Sequence, residues 1–178
     1  MDVDKSGLKE YAPDATIKSM DITNEWTRTT GKKGSVSERQ EYTANGIRHT
    51  VDGRHVILKP SPHERRIAAI LAEKYGKTVE LVPQVMYPQK IPTPDYLIDG
   101  ERFDLKTPTG RSKDLFYNVV SKKRKQASNF VFDVSECPLS KDEITKQVEA
   151  LYFSRHTRFI DKIVIMKNGK ILNVYGRK

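Results

Sequence analysis

The sequence predicts an α/β protein, a mixed β-sheet flanked by helices, and three observations carry that expectation. Runs rich in β-forming residues are joined by Asp99-Gly100 and Asn168-Gly169, dipeptides suited to tight two-residue hairpin turns. Two stretches of helical apolar spacing each open on a serine with a glutamate three residues on, Ser61/Glu64 and Ser140/Glu143. From residue 61 onward the elements alternate as α-β-β-β-α-β-α-β-β, an order that packs helices against a mixed sheet.

Each element has its own local reason. Residues 1–40 are polar with little periodicity and read as an N-terminal arm or linker, with a short helix or strand around Ile17–Trp26 and a loop at Gly31–Ser35. Residues 41–178 form the domain. Within 41–59, Asp52-Gly53 divides Ile47–Val51 from Arg54–Leu58 and predicts a hairpin. Ser61 is a good N-cap, Pro62 is preorganised for the first helical turn, and Glu64 completes a capping box. Ile67, Ile70, Leu71 and Tyr75 give that helix an inward stripe, and Gly76 ends it. A strand over 78–85 and a proline-punctuated loop lead to the central hairpin. A helix from about Lys113 turns Leu115, Phe116, Val119 and Val120 inward and runs into Lys122–Lys125. Asn129–Val134 is a strand. The Ser140 capping box opens a helix burying Ile144, Val148, Leu151 and Tyr152. The chain closes on a hairpin, 161–166 with 171–174, turning at Asn168-Gly169.

Composition narrows the function classes. The 178 residues hold 32 Lys and Arg against 23 Asp and Glu, a net charge of +9, and the pI is near 9.5. A basic field of this size favours polyanions, nucleic acid foremost, although ribosomal and membrane-surface contacts fit it too. The single cysteine, Cys137, excludes an internal disulfide and a cysteine-rich zinc site. No apolar run reaches the length of a membrane span.

The segment Pro94–Pro108 carries the chemistry. With Asp99-Gly100 as the turn, Ile98 faces Glu101, Leu97 faces Arg102, Tyr96 faces Phe103 and Asp95 faces Asp104. Alternation then puts Tyr96, Ile98, Phe103 and Leu105 on one face and Asp95, Asp104 and Lys106 on the other. Two carboxylates directly across a ladder repel each other, and a divalent cation would compensate, since hard cations take carboxylate oxygens. Asp95 and Asp104 are the candidate metal ligands, with the backbone carbonyl of Leu105 as a third donor. Lys106 would orient the attacking water or meet the developing phosphate charge; read alone, it is an ordinary strand-edge lysine. Glu64 has two readings, a cap on its own helix or an inward acid that joins the metal. Lys122, Lys123 and Gln126 are candidate substrate contacts, against the alternative of a solvated helix end whose cations complement the dipole.

Pro94-Asp95 … Asp104-Leu105-Lys106 resembles the PD-(D/E)xK nuclease signature. Together with Ser61–Gly76, Val79–Val82, Pro92–Thr107 and Gln126–Ser135, it is similar to the C-terminal tRNase toxin domains of CdiA-type contact-dependent growth inhibition proteins, whose relatives occur in phage and mobile-element proteins. The resemblance covers roughly residues 45–178. It implies a PD-(D/E)xK nuclease-like mixed sheet flanked by helices, and a metal-dependent endoribonuclease that cleaves tRNA. Magnesium is the expected metal, with manganese or zinc as alternatives. It also implies a cognate immunity protein, delivery within a larger secreted or phage protein, and action in the cytoplasm of a target or host cell. Carried over by motif position, the site is Glu64, Asp95, Asp104 and Lys106, with aspartate at 104 where many relatives have glutamate. A DNase of the same fold and a non-catalytic basic nucleic-acid-binding module are the competing readings.

Overall fold

The computed structural model of the chain describes residues 19–29 and 31–177. In chain order, β1 (Ser19–Asp21), α1 (Thr23–Thr27), β2 (Ser35–Glu38), β3 (Glu41–Ala44), β4 (Ile47–Thr50) and β5 (Val56–Ile57) precede the first long helix, α2 (Pro62–Tyr75). Then come β6 (Thr78–Leu81), β7 (Gln84–Val85), β8 (Tyr96–Ile98), β9 (Glu101–Lys106), α3 (Leu115–Val120), β10 (Asn129–Asp133) and α4 (Lys141–Phe153). A 3-10 turn at Arg155–Thr157 leads into the closing pair β11 (Ile163–Lys167) and β12 (Lys170–Arg177).

Eight of these strands make one mixed sheet in the order β1-β12-β11-β10-β9-β8-β6-β2. β10 runs parallel to both β9 and β11, and the β8–β9 and β11–β12 hairpins are antiparallel. The expected mixed α/β architecture is therefore observed. Strand alternation sorts the core into two layers. Val131, Val164, Val174, Tyr96, Ile98 and Phe103 pack with Ile67, Ala68 and Leu71 of α2, while Phe130, Phe132, Ile163 and Ile165 pack with Phe116 and Val120 of α3 and with the apolar stripe of α4. Burying apolar area on both sheet faces is the main stabilising term of such a fold.

Local chemistry explains the helix ends. Ser61 Oγ accepts the Glu64 amide at 3.1 Å, and Gly76 closes α2 at φ +64° with its amide bonded to Ala72 O. At α4 both halves of the capping box form, Ser140 Oγ with the Glu143 amide and the Glu143 carboxylate with the Ser140 amide at 2.7 Å. At α2 the reciprocal half is not made, so the Glu64 side chain is not committed to its own helix start.

Several expected elements differ. Within the segment read as a polar arm, the short helix or strand expected around Ile17–Trp26 is present as β1 and α1, but β1 and β2 also join the main sheet, pairing with β12 and β6. Backbone hydrogen bonding to an exposed strand edge recruits them despite their polarity, and Gly34 permits it: a Cβ there would lie 2.2 Å from Ala72 O. The rest of the expected arm, residues 1–18, lies outside the described residues. The Asp52-Gly53 hairpin does not form. The turn is Asn45-Gly46, with φ of +52° and +75°, and it joins β3 to β4. The Asp52 carboxylate instead accepts the amides of Arg54, His55 and Val56, which turns the chain away so that β5 pairs with β7. The 78–85 strand is interrupted between β6 and β7 at Val82-Pro83. Helix α3 ends at Val120, so Lys122–Lys125 occupy turns beyond it rather than a helix terminus.

Candidate active site

The Asp99-Gly100 turn, φ +49° and +84°, sets the β8–β9 register as the sequence predicts: Tyr96 opposite Phe103, Leu97 opposite Arg102, Ile98 opposite Glu101. One step further from the turn, Asp95 leaves the strand, yet its Oδ2 accepts the Leu105 amide at 2.8 Å, which holds its carboxylate beside Asp104. Parallel pairing aligns Asp104 with Phe130 and Lys106 with Phe132, so both polar side chains lie on the α3/α4 face, near the carboxyl ends of the parallel strands where α/β sheets commonly bind ligands.

Electrostatics at this pair are unusual for a protein surface. Asp104 is 3% exposed. Lys106 Nζ lies 2.8 Å from Asp104 Oδ2, an ion-pair distance, but the contact lacks hydrogen-bond geometry and that buried oxygen has no directed donor. Burial, then the Asp104 charge and the hydrogen bond the two carboxyls share, push the Asp95 carboxyl up to about 8 against the opposing pull of the Leu105 amide. Glu64 adds a further push in the same direction. Such displacement by desolvation plus a like charge is characteristic of functional carboxylates.

The α2 start is tied down around these acids. Tyr96 Oη donates to Glu64 O at 2.7 Å, and burial first, then the charges of Asp95 and Glu64, raise its hydroxyl above its ordinary value. His63, the residue before Glu64, places Nε2 2.8 Å from Asp133 Oδ2 at the end of β10. Burial alone would raise the Asp133 carboxyl; Ser135 Oγ, which donates at 2.5 Å, and His63 together outweigh it and hold it below the usual range. The signal available was the position of His63 one residue before Glu64; its partner 70 residues away is a tertiary fact.

The structure thus brings Asp95, Asp104 and Lys106 together, with the Leu105 amide as the link. Glu64 is close enough to act on Asp95 through its charge, but among the described residues no set of three His, Cys, Asp or Glu groups is placed to hold a metal ion. The chemistry of the donors that do meet fits a hard divalent ion: carboxylate oxygens, one of them buried without a donor. Magnesium binds proteins through one or two carboxylates while keeping several waters, whereas zinc sites are usually completed by histidine or cysteine.

The expected substrate residues also come together. Lys122, Lys123 and Gln126 line a cleft of about 520 Å³ whose other wall is Lys90–Pro92. Gln126 Oε1 is buried and lacks a donor. Ile91 and Leu97 both pack against the cluster of Tyr42, Ala44 and Val82, and Leu97 shares the Asp104 face of the hairpin. Pro92 is three residues from Asp95, at most about 11 Å along the chain.

Residues 92–171 match the model of the family described as contact-dependent growth inhibition CdiA C-terminal domain. The expected similarity to CdiA C-terminal domains is therefore found over a segment that contains Asp95, Asp104, Lys106 and Lys122–Gln126. Among solved structures the chain is similar to the CdiA-CT/CdiI toxin and immunity complex from Burkholderia pseudomallei, at 26% identity and a TM-score of 0.48, covering 62% of this chain and 80% of that one. No curated protein matches the chain.

Proposed function

We propose that this chain, whose residues 92–171 match the CdiA C-terminal toxin domain, is a metal-dependent endoribonuclease of PD-(D/E)xK type that cleaves tRNA in a target cell. The observation that carries the proposal is the buried Asp95–Asp104 pair, with one carboxylate oxygen left without a donor beside Lys106. Two largely buried carboxyls in contact, served by one backbone amide and one lysine and with an Asp104 oxygen still lacking a directed donor, suit a cation better than a purely structural role, since buried charge is costly unless fully compensated.

In this reading Asp95 and Asp104 hold a divalent ion, magnesium foremost, with Glu64 as a third acid that swings in from the start of α2. Bound there, the ion would lower the pKa of an attacking water and neutralise charge on the scissile phosphate. Lys106 sits where its ammonium can orient that water or meet the developing negative charge. Lys122, Lys123 and Gln126 contact the substrate backbone, as Lys and Arg commonly do at nucleic-acid surfaces. Attack by water makes no use of the 2′-hydroxyl, so preference for RNA would come from shape and contacts outside the reacting centre. The family context adds delivery within a larger exported protein and a cognate immunity protein that blocks the site.

Incubating the protein with purified tRNA and with plasmid DNA, each with Mg²⁺, Mn²⁺ or EDTA, tests the proposal. The expected result is metal-dependent cleavage of tRNA by the wild type, none by Asp104→Asn, and intact plasmid. Cutting DNA alone would support a DNase instead, and cutting neither would overturn the enzymatic reading.

A further inference from the structure

A second basic cleft, of about 400 Å³, adjoins the first and shares Ser121 and Arg124 with it. Its far wall is the 3-10 turn and the two residues after it: Arg155 and Arg158 supply cations, and Phe159 adds an aromatic ring to that of Tyr117 from α3. Among the described residues that line either cleft, none is acidic. A positive field running along two joined clefts, with Lys122–Lys125 in one and Arg124 and Arg158 in the other, suits a polyanion that both clefts receive.

The far wall is built to hold its position. Arg177 donates to three carbonyls of this segment, Ile160 O at 2.7 Å, Thr157 O at 3.2 Å and Tyr152 O at 3.3 Å. Thr157, fully buried, donates to Leu151 O at 2.6 Å, and Ser154 Oγ accepts the His156 amide. Arg155 and Arg158 are therefore presented from a braced turn rather than a loose loop, the condition for precise recognition. Guanidinium forks match phosphate oxygens in pairs, and aromatic faces stack exposed bases of single-stranded RNA.

We infer that this second cleft is an RNA subsite, where Arg124, Arg155 and Arg158 grip phosphates of the substrate at a distance from the bond that is cut and Tyr117 and Phe159 receive an unstacked base. The inference rests on the ribonuclease reading for its ligand class, and adds to it where the uncleaved body of the RNA lies.

The test measures tRNA binding rather than cleavage, in an Asp104→Asn background, by filter retention across a range of salt concentrations. Neutralised phosphates set the salt slope, about 0.7–0.9 per contact, so Arg155→Ala/Arg158→Ala should lower it by about 1.4–1.8. Affinity near 0.15 M salt should fall about tenfold or more. Arg155→Lys/Arg158→Lys should restore most of the slope, which a packing defect would not allow. Lys32→Ala/Lys33→Ala, removing equal charge from the exposed loop beside the Asp99 turn, should leave it unchanged. An unaltered slope in the arginine double variant, with tRNA still bound, overturns the subsite and leaves the ribonuclease reading standing; so does an equal loss in the lysine control. Failure of every variant to bind RNA overturns both.

Discussion

The Asp95–Asp104 pair predicts that divalent metal binding is coupled to proton release. With the Asp95 carboxyl at about 8, the metal-free protein at pH 7 holds a proton on the pair in about nine molecules of ten. A cation must displace that proton before both carboxylates can bind it. Apparent affinity is weakened by the factor 1 + 10^(pKa − pH), which is about 100 at pH 6, about 11 at pH 7 and about 2 at pH 8. Mg²⁺ binding should therefore tighten roughly 50-fold between pH 6 and pH 8 and level off above that. Isothermal titration in two buffers of different ionisation enthalpy would count the protons, with about 0.9 released per ion at pH 7. Stability of the metal-free protein follows the same linkage. The folded carboxyl is raised above its unfolded value near 3.8, so the folded state binds the extra proton between about pH 4 and 8. Stability falls as pH climbs through that window and is flat above it. Asp104→Asn removes the neighbouring charge, which moves the step to lower pH, and the difference between wild type and variant isolates the pair from the histidines. Equal Mg²⁺ affinity at pH 6 and pH 8, or proton uptake on binding, would refute the reasoning.

Single contacts give further expected outcomes. Lys106→Met removes the ion partner of an oxygen that already lacks a directed donor; urea denaturation should show a loss of about 1–3 kcal/mol, and Mg²⁺ should recover more stability in the variant than in the wild type. Ser140→Ala removes the Oγ half of the α4 capping box, leaving the backbone amide of residue 140 to the Glu143 carboxylate, and should cost about 1 kcal/mol by thermal or urea unfolding. Phe132→Ala opens a cavity in the layer packed by α3 and α4, with an expected cost of about 3–5 kcal/mol; because Phe132 is paired with Lys106 in the sheet, the surviving fold should also bind metal less well.

The two halves of the site were unequally legible in the chain. Asp99-Gly100, alternation along the flanking strands and the position of Asp95 and Asp104 relative to the turn are local facts, governed by backbone sterics and a period of two, so residue order alone determined that the acids would meet. The same holds for the two serine-capped helices and the Asn168-Gly169 hairpin. Asp52-Gly53 was misleading because Asn45-Gly46, seven residues earlier, closes the hairpin and leaves the Asp52 side chain to cap its own loop. Only the folded chain decided that residues 19–38 extend the sheet, that the Lys122–Lys125 run leaves the helix, that His63 reaches Asp133 and that Arg155 and Arg158 stand beside Arg124. Those pairings join residues far apart in sequence, and their free energy comes from shared burial and long-range hydrogen bonds that no local propensity encodes. Turn chemistry made the acid pair; the sheet and its two helical layers made it buried, and burial is what raises the Asp95 carboxyl and leaves an Asp104 oxygen without a donor.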